Sequence, residues 1–218
     1  MDMRTKYDQF YTHEMEESFH GEPKTCVKEL FNRLEEKRNI EGDEIRVLDI
    51  AAGDGRHTVP AAQKGFFVDC IEKSEGGVQI LNRRLESQNA KNYVNVECGD
   101  MLDFGFDLSV YDAVIFIDAI HNITTIPIGN YVKKIQNSTK DNGENIITFL
   151  TDVKLDGENY PERLIISSLE AKALLTDLYK EWDIHFLPDK NLCFYTDEVN
   201  KKNCLFSATR ISMIAKKI

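Results

Sequence analysis

Three carboxylates stand at intervals that suit a single ligand. Asp49 lies in the apolar run Ile45–Ala51, which leads into the turn Gly53-Asp54-Gly55. Glu72 closes a second apolar run, and Asp100 follows a third in Cys98-Gly99-Asp100-Met101. Glycine at 53 and 55 lets the backbone turn tightly and lets a ligand come close to it. The turn lacks the Gly-x-Gly-x-x-Gly spacing that seats a pyrophosphate on a helix N-terminus. An acidic residue at its centre repels phosphate and favours a cationic ligand. Glu72, about 20 residues beyond the loop, is placed to accept both hydroxyls of a ribose. Asp100 is placed to reach an adenine amino group, with the apolar Met101 beside it for the ring. Each acidic residue taken alone reads as a loop or capping residue. At successive strand ends they point together to an adenosine-type ligand.

The elements that must position these groups alternate along the chain. Val27, Leu30, Phe31 and Leu34 give helical spacing within residues 22–39. Residues 45–51 read as a buried strand, and the loop is followed by a helix ending at Gly65. Further strands are expected at Phe66–Ile71, Tyr93–Glu97, Tyr111–Asp118 and Asn145–Leu150. Helices are expected at 75–90, 127–139 (opened by Pro127) and Leu169–Leu178. The runs 184–187, 192–195 and 204–215 alternate and have no long helix between them, which reads as antiparallel strands. The pattern predicts an α/β, Rossmann-like doubly wound sheet, mostly parallel with antiparallel C-terminal strands and helices on both faces. Ligands in such sheets bind beyond the carboxyl ends of the strands.

Composition sets the outer limits. A chain of 218 residues suits one domain, here with a helical cap over 1–40, a cofactor core over 45–150 and a substrate-side and closing section over 151–218. A formal net charge of −10 disfavours nucleic acid as a partner, because phosphate contact needs clustered Lys and Arg. The pairs Lys133-Lys134 and Arg83-Arg84 read as solvated helix faces. Five cysteines without a Cys-x-x-Cys pair are expected to be free thiols, and no metal site is expected. With neither a signal peptide nor a membrane span visible, a soluble cytoplasmic location is expected. Oligomeric state is left open.

Val47-Leu-Asp-Ile-Ala-Ala-Gly-Asp-Gly-Arg-His-Thr58 resembles motif I of class I S-adenosylmethionine-dependent methyltransferases. Phe67-Val-Asp-Cys-Ile-Glu72 resembles their second motif, Gly99-Asp100-Met101 their adenine-contacting motif, and Tyr111–Asp118 their fourth strand. The Gly-Asp-Gly-Arg-His form is similar to small-molecule enzymes of the tellurite-resistance and general bacterial type. Motif I departs at Ala51-Ala52, where many members carry Gly-Cys or Gly-Ser. The resemblance implies S-adenosylmethionine as cofactor, S-adenosylhomocysteine as product and a small molecule as methyl acceptor. It assigns Asp49, Gly53 and Gly55 to the methionine moiety, Glu72 to the ribose, and Asp100 and Met101 to the adenine. Ala51, Arg56 and Lys73, beside these positions, are also assigned to cofactor binding, and Asp118 with Ala119 would border the sulfonium.

Methyl transfer from a sulfonium is an in-line displacement in which the cofactor carries the hard chemistry. A base is needed only where the acceptor must lose a proton, and His121, with Asp118, is the candidate at the end of strand four. Tyr7, Tyr11 and Tyr160 are further acceptor-side candidates, and the aromatic segment around Tyr7 and Tyr11 is suited to closing the pocket. The absence of an Asn-Pro-Pro-Tyr-type sequence after strand four argues against methylation of nucleobase amino groups. Two alternatives stay open: another S-adenosylmethionine reaction, such as an intramolecular cyclisation, and a non-catalytic cofactor-binding module.

Overall fold

Arg46–Ile50 forms β1 because Val47, Leu48 and Ile50 are β-branched or apolar and wholly buried, leaving Asp49 as the one acid in the run. The computed structural model describes residues 21–123, 127–155, 166–197 and 202–218. Tyr7, Tyr11 and Tyr160 lie outside them. Two units are distinguished: residues up to Ile115 with Ser138–Lys140, and Phe116–Asn137 with Asp141–Ile218.

In the first unit, β1 pairs in parallel with β2 (Phe67–Glu72), and β2 pairs in parallel with β3 (Val94–Cys98). The register sets Asp49 opposite Cys70 and Glu72 opposite Cys98, so the strands end near one another at the carboxyl side. Helix α1 (Thr25–Glu41) buries Cys26, Val27, Leu30, Phe31 and Leu34, and Gly42 ends it in the left-handed region. Phe31 meets Phe66 edge to face, with ring centroids 6.0 Å apart, and Arg38 lies over Phe66 while donating to the Lys64 carbonyl at 2.7 Å. Helix α2 (Thr58–Gln63) is short and ends where Gly65 adopts a positive φ, as its sequence implies. Ser74 caps α3 (Glu75–Ser87) by accepting from the Gly77 N–H, and Ile80, Leu81 and Leu85 form its buried stripe.

β4 (Tyr111–Phe116) is buried at all six positions. The sequence reading carries it to Asp118, but it stops two residues earlier, and Asp118 takes φ 52°, a left-handed conformation that turns the chain out of the extended run. At its start Asp112, 2% exposed, accepts the Arg46 N–H at 2.9 Å, Lys37 Nζ at 2.7 Å and Lys140 Nζ at 2.8 Å. Burial opposes ionisation of Asp112, but the three donors outweigh it and hold the carboxyl below its usual range. Its stabilising effect is therefore complete above the unfolded carboxylate range and lost as pH falls through the lower folded value. Asp112→Ala strands two partly exposed ammonium groups, and a loss of about 2–3 kcal/mol is expected in urea unfolding at pH 7.

In the second unit, β5 (Thr139–Leu155) and β8 (Lys202–Lys217) pair antiparallel. The same edge of β8 takes β6 (Trp182–Phe186) along Met213–Lys217 and β7 (Lys190–Asp197) along Lys202–Arg210. Helices α4 (Ile128–Ser138) and α5 (Ser168–Leu178) complete it, the latter with a capping box between Ser167 and Glu170. β5 is far longer than the expected 145–150. Its flanks are polar, so they are held by ladder bonds and pairs such as Lys217–Asp141 at 3.1 Å rather than announced by hydrophobicity. The strand order is β3-β2-β1-β4-β5-β8-β6, with β7 on β8: a mixed sheet, parallel early and antiparallel at its C-terminal end. The free-thiol reading holds for Cys26, Cys70 and Cys98 but is corrected at Cys193, which is disulfide-bonded. Among the described residues no helix is long and apolar enough to cross a membrane.

Candidate active site

The loop after β1 is held by hydrogen bonds from several directions. Ala52 N–H donates to Ile71 O at 3.1 Å, and Gly55 N–H donates to Ala52 O at 3.0 Å. Ala51 takes φ 59°, which strains a side chain and explains why glycine suits this position. Ala51→Gly is expected to raise stability by about 0.5–1 kcal/mol in thermal melts, the relief exceeding the added freedom of the unfolded chain.

Glu72 is the hub of the loop. Its Oε2 accepts the Gly53 N–H at 2.8 Å, its Oε1 accepts the Ser74 N–H at 2.8 Å, and its backbone carbonyl accepts the Gly99 N–H at 3.0 Å. One residue thus ties the loop after β1, the start of α3 and the loop after β3. Asp49, 2% exposed, accepts the Thr58 hydroxyl at 2.7 Å. Burial pushes its carboxyl up to about 7; the Thr58 hydrogen bond pulls it back, and the charges of Glu72 and Asp54 add to the rise. Asp100 accepts Lys73 Nζ at 2.9 Å and the Leu102 N–H at 3.0 Å. Burial works against its ionisation, but these donors prevail and keep it charged below the usual range. Met101 is half-buried in the turn that follows.

Two residues of the loop have other partners. Asp54 is 1% exposed, its carbonyl accepts Arg84 Nη1 at 2.7 Å, and its carboxylate lies 3.5 Å from the same nitrogen. Its charge is thus offset by α3 rather than offered to a cationic ligand. Arg56 Nε donates to the Glu22 carbonyl at 2.6 Å, which anchors the chain ahead of α1. Thr58, Ser74 and Arg84 escaped the sequence reading, because their roles depend on which strand end or helix each one meets.

The second unit holds the segment after β4. Arg210 grips Asp118 with two bonds, Nε to Oδ1 at 2.8 Å and Nη2 to Oδ2 at 2.6 Å. Thr148 Oγ1 donates to Asp118 Oδ1 at 2.6 Å and accepts the Asp118 N–H at 2.7 Å. His121, 2% exposed, stacks on Phe149, with centroids 6.5 Å apart and planes 23° from parallel. Thr148 and Phe149 are adjacent in β5, so their side chains point to opposite faces. Asp118 and His121, paired as candidates in the sequence, therefore engage opposite faces of that strand. Ala119 is buried between them in the chain.

Comparisons with known proteins bear on the segment that carries this loop and on its fold. Residues 47–143 match the family described as the methyltransferase domain. An uncharacterised methyltransferase of Staphylococcus carnosus (strain TM300) is 29% identical over 139 residues, 63% of this chain and 62% of its own length. The chain thus spans less than two thirds of that relative. Among solved structures, TehB from Haemophilus influenzae superposes with a TM-score of 0.63 at 19% identity, covering 86% of this chain and 62% of the other. The Burkholderia thailandensis 1,6-didemethyltoxoflavin-N1-methyltransferase, with 1,6-didemethyltoxoflavin and S-adenosylhomocysteine bound, gives 0.63 at 16% identity, covering 98% of this chain and 86% of the other. At these identities the structural likeness speaks for the fold. The segment carrying the glycine loop, the acidic strand ends and the fourth strand is thus the part that matches the methyltransferase-domain family, and the fold around it is Rossmann-like.

Proposed function

We propose that this protein binds S-adenosylmethionine on the loop after β1 and transfers its methyl group to a small-molecule acceptor. The observation that carries the reading is Glu72, whose carboxylate at the end of β2 is fixed beside the glycine loop by the Gly53 and Ser74 N–H groups. Asp49 serves the methionine amino group, and Asp100, braced by Lys73, serves the adenine. In the reaction the acceptor's lone pair forms a bond to the methyl carbon as the carbon–sulfur bond breaks, and the sulfonium becomes the neutral thioether of S-adenosylhomocysteine. Alignment of the reactants can supply roughly 7–11 kcal/mol of the rate enhancement.

Asp118 is assigned to positioning rather than to proton abstraction, because Arg210 and Thr148 occupy its carboxylate. His121 is the base for an acceptor that must lose a proton. For such an acceptor, His121→Gln lowers kcat by about 100-fold with little change in KM, and the acidic limb of the pH–rate profile, where a base is protonated, changes with it. The activity itself is tested by incubating the protein and methyl-labelled S-adenosylmethionine with a metabolite extract. Labelled methyl in a new small molecule, with stoichiometric S-adenosylhomocysteine, supports the reading. Turnover to methylthioadenosine, or none beyond the buffer control, contradicts it.

A further inference from the structure

We infer that Arg210 is a receptor for an anionic group of the acceptor, a carboxylate or comparable oxyanion, with Lys190 as the second cation. The inference rests on the methyltransferase reading and specifies its substrate class. Arg210 lies in β8 amid Ala208, Ile211, Met213 and Ala215, all buried, and its own side chain keeps 18% exposure. Its guanidinium is fixed by Asp118 through Nε and Nη2. Nη1 makes no hydrogen bond among the described residues, so a planar, oriented donor edge is left over.

The register supplies the surroundings. Arg210 is opposite Leu150 on β5 and opposite Lys190 on β7, and Thr148 is opposite Ser212 two residues along. Residues directly opposite, or two apart on a strand, share a face. One face therefore carries Arg210, Lys190, two hydroxyls and the apolar Leu150. Lys190 is exposed, and its side chain makes no ion pair or hydrogen bond among the described residues. Asp118 cancels one positive charge of this face, and the other remains. A surplus cation beside a preset guanidinium edge selects a negative group, and on a chain of net charge −10 it is a local exception. The left-handed φ of Asp118 belongs to the same arrangement, since the bend turns its carboxylate onto Arg210.

The test is an NMR titration of the full chain with benzoate and with its neutral analogue benzamide at constant ionic strength, following the Arg210 guanidinium signals and, in every variant, the backbone amide signals of Leu150 and residue 190 opposite it. Benzoate is expected to shift these signals saturably and benzamide to leave them unmoved. Lys190→Ala, a surface change, is expected to weaken benzoate about three- to tenfold. In case Arg210→Gln alone leaves Asp118 uncompensated, the pair Arg210→Gln with Asp118→Asn removes both charges and is expected to abolish the response. No shift with benzoate, an equal shift with benzamide, or a response that survives the double variant overturns the inference. Titrating S-adenosylmethionine into the same samples separates the two failures: lost cofactor binding with an intact benzoate response sinks the methyltransferase reading, and the reverse sinks only the anion receptor.

Discussion

Asp49→Asn is expected to abolish most S-adenosylmethionine binding and at the same time to raise the melting temperature of the ligand-free protein at pH 8. The two effects have one cause. Asp49 is buried beside Glu72 and Asp54, and burial pushes its carboxyl up to about 7. Because the folded value is raised, the fold is most favoured where Asp49 is protonated. Stability is then lost as pH rises from the unfolded value near 4 through the folded value, with an upper limit of about 4 kcal/mol. Asparagine keeps an acceptor for the Thr58 hydroxyl and removes the buried charge. Allowing for relaxation around the charge, a gain of about 1–2 kcal/mol at pH 8 is expected, with none at pH 4. The stability-against-pH curve of the variant should lose its slope between those limits. In the wild type, cofactor affinity should climb with pH through the same range, since the ionised carboxylate attracts a cationic ligand. A variant that binds the cofactor normally, or melts lower at pH 8, would remove Asp49 from the site.

Gly55→Ala carries the second large effect, this one on the fold. Gly55 sits at φ +82°, where a side chain is strained, and a Cβ there would overlap Leu81 Cδ1 and lie 3.1 Å from Val59 Cγ2. Leu81 is fully buried on α3, so its side chain has no open space to yield into. Overpacking and backbone strain together cost about 3 kcal/mol, a fall of roughly 6–12 °C in Tm for a chain of this size. Adding Leu81→Ala separates the two parts. The double variant should lose less than the sum of the single ones, because the overlap disappears and only the strain of φ and the cavity remain. Strict additivity would show that Leu81 is not what confines Gly55.

Local signals marked the acidic strand ends of the candidate site. Asp49, Glu72 and Asp100 stand at the ends of apolar runs, and a strand that ends on a carboxylate is visible without knowing its neighbours. What those carboxylates bind within the protein was hidden. Glu72 reaches Gly53 across 19 residues, and Arg84 reaches Asp54 across 30. Arg210 meets Asp118 across 92 residues through a strand pairing that no period in the sequence reports. Asp118 and His121 read as partners because they are three residues apart, yet the bend at Asp118 sends them to opposite faces of β5. The sequence shows β5 short for a related reason: hydrophobicity marks only the strand residues that face the core, and the polar residues beyond Leu150 are held by their pairing with β8 as far as Leu155.

The central claim is that Glu72 receives the ribose of S-adenosylmethionine, and calorimetric titration of the cofactor into the wild type and Glu72→Gln at pH 8 tests it most directly. Glutamine preserves the shape of the side chain and one acceptor, so the variant should stay folded by circular dichroism. Loss of charge-assisted hydrogen bonds worth about 2 kcal/mol should weaken its binding by roughly 30-fold or more. Wild-type protein that takes up no S-adenosylmethionine, or a folded Glu72→Gln that binds it as tightly as wild type, would contradict the account.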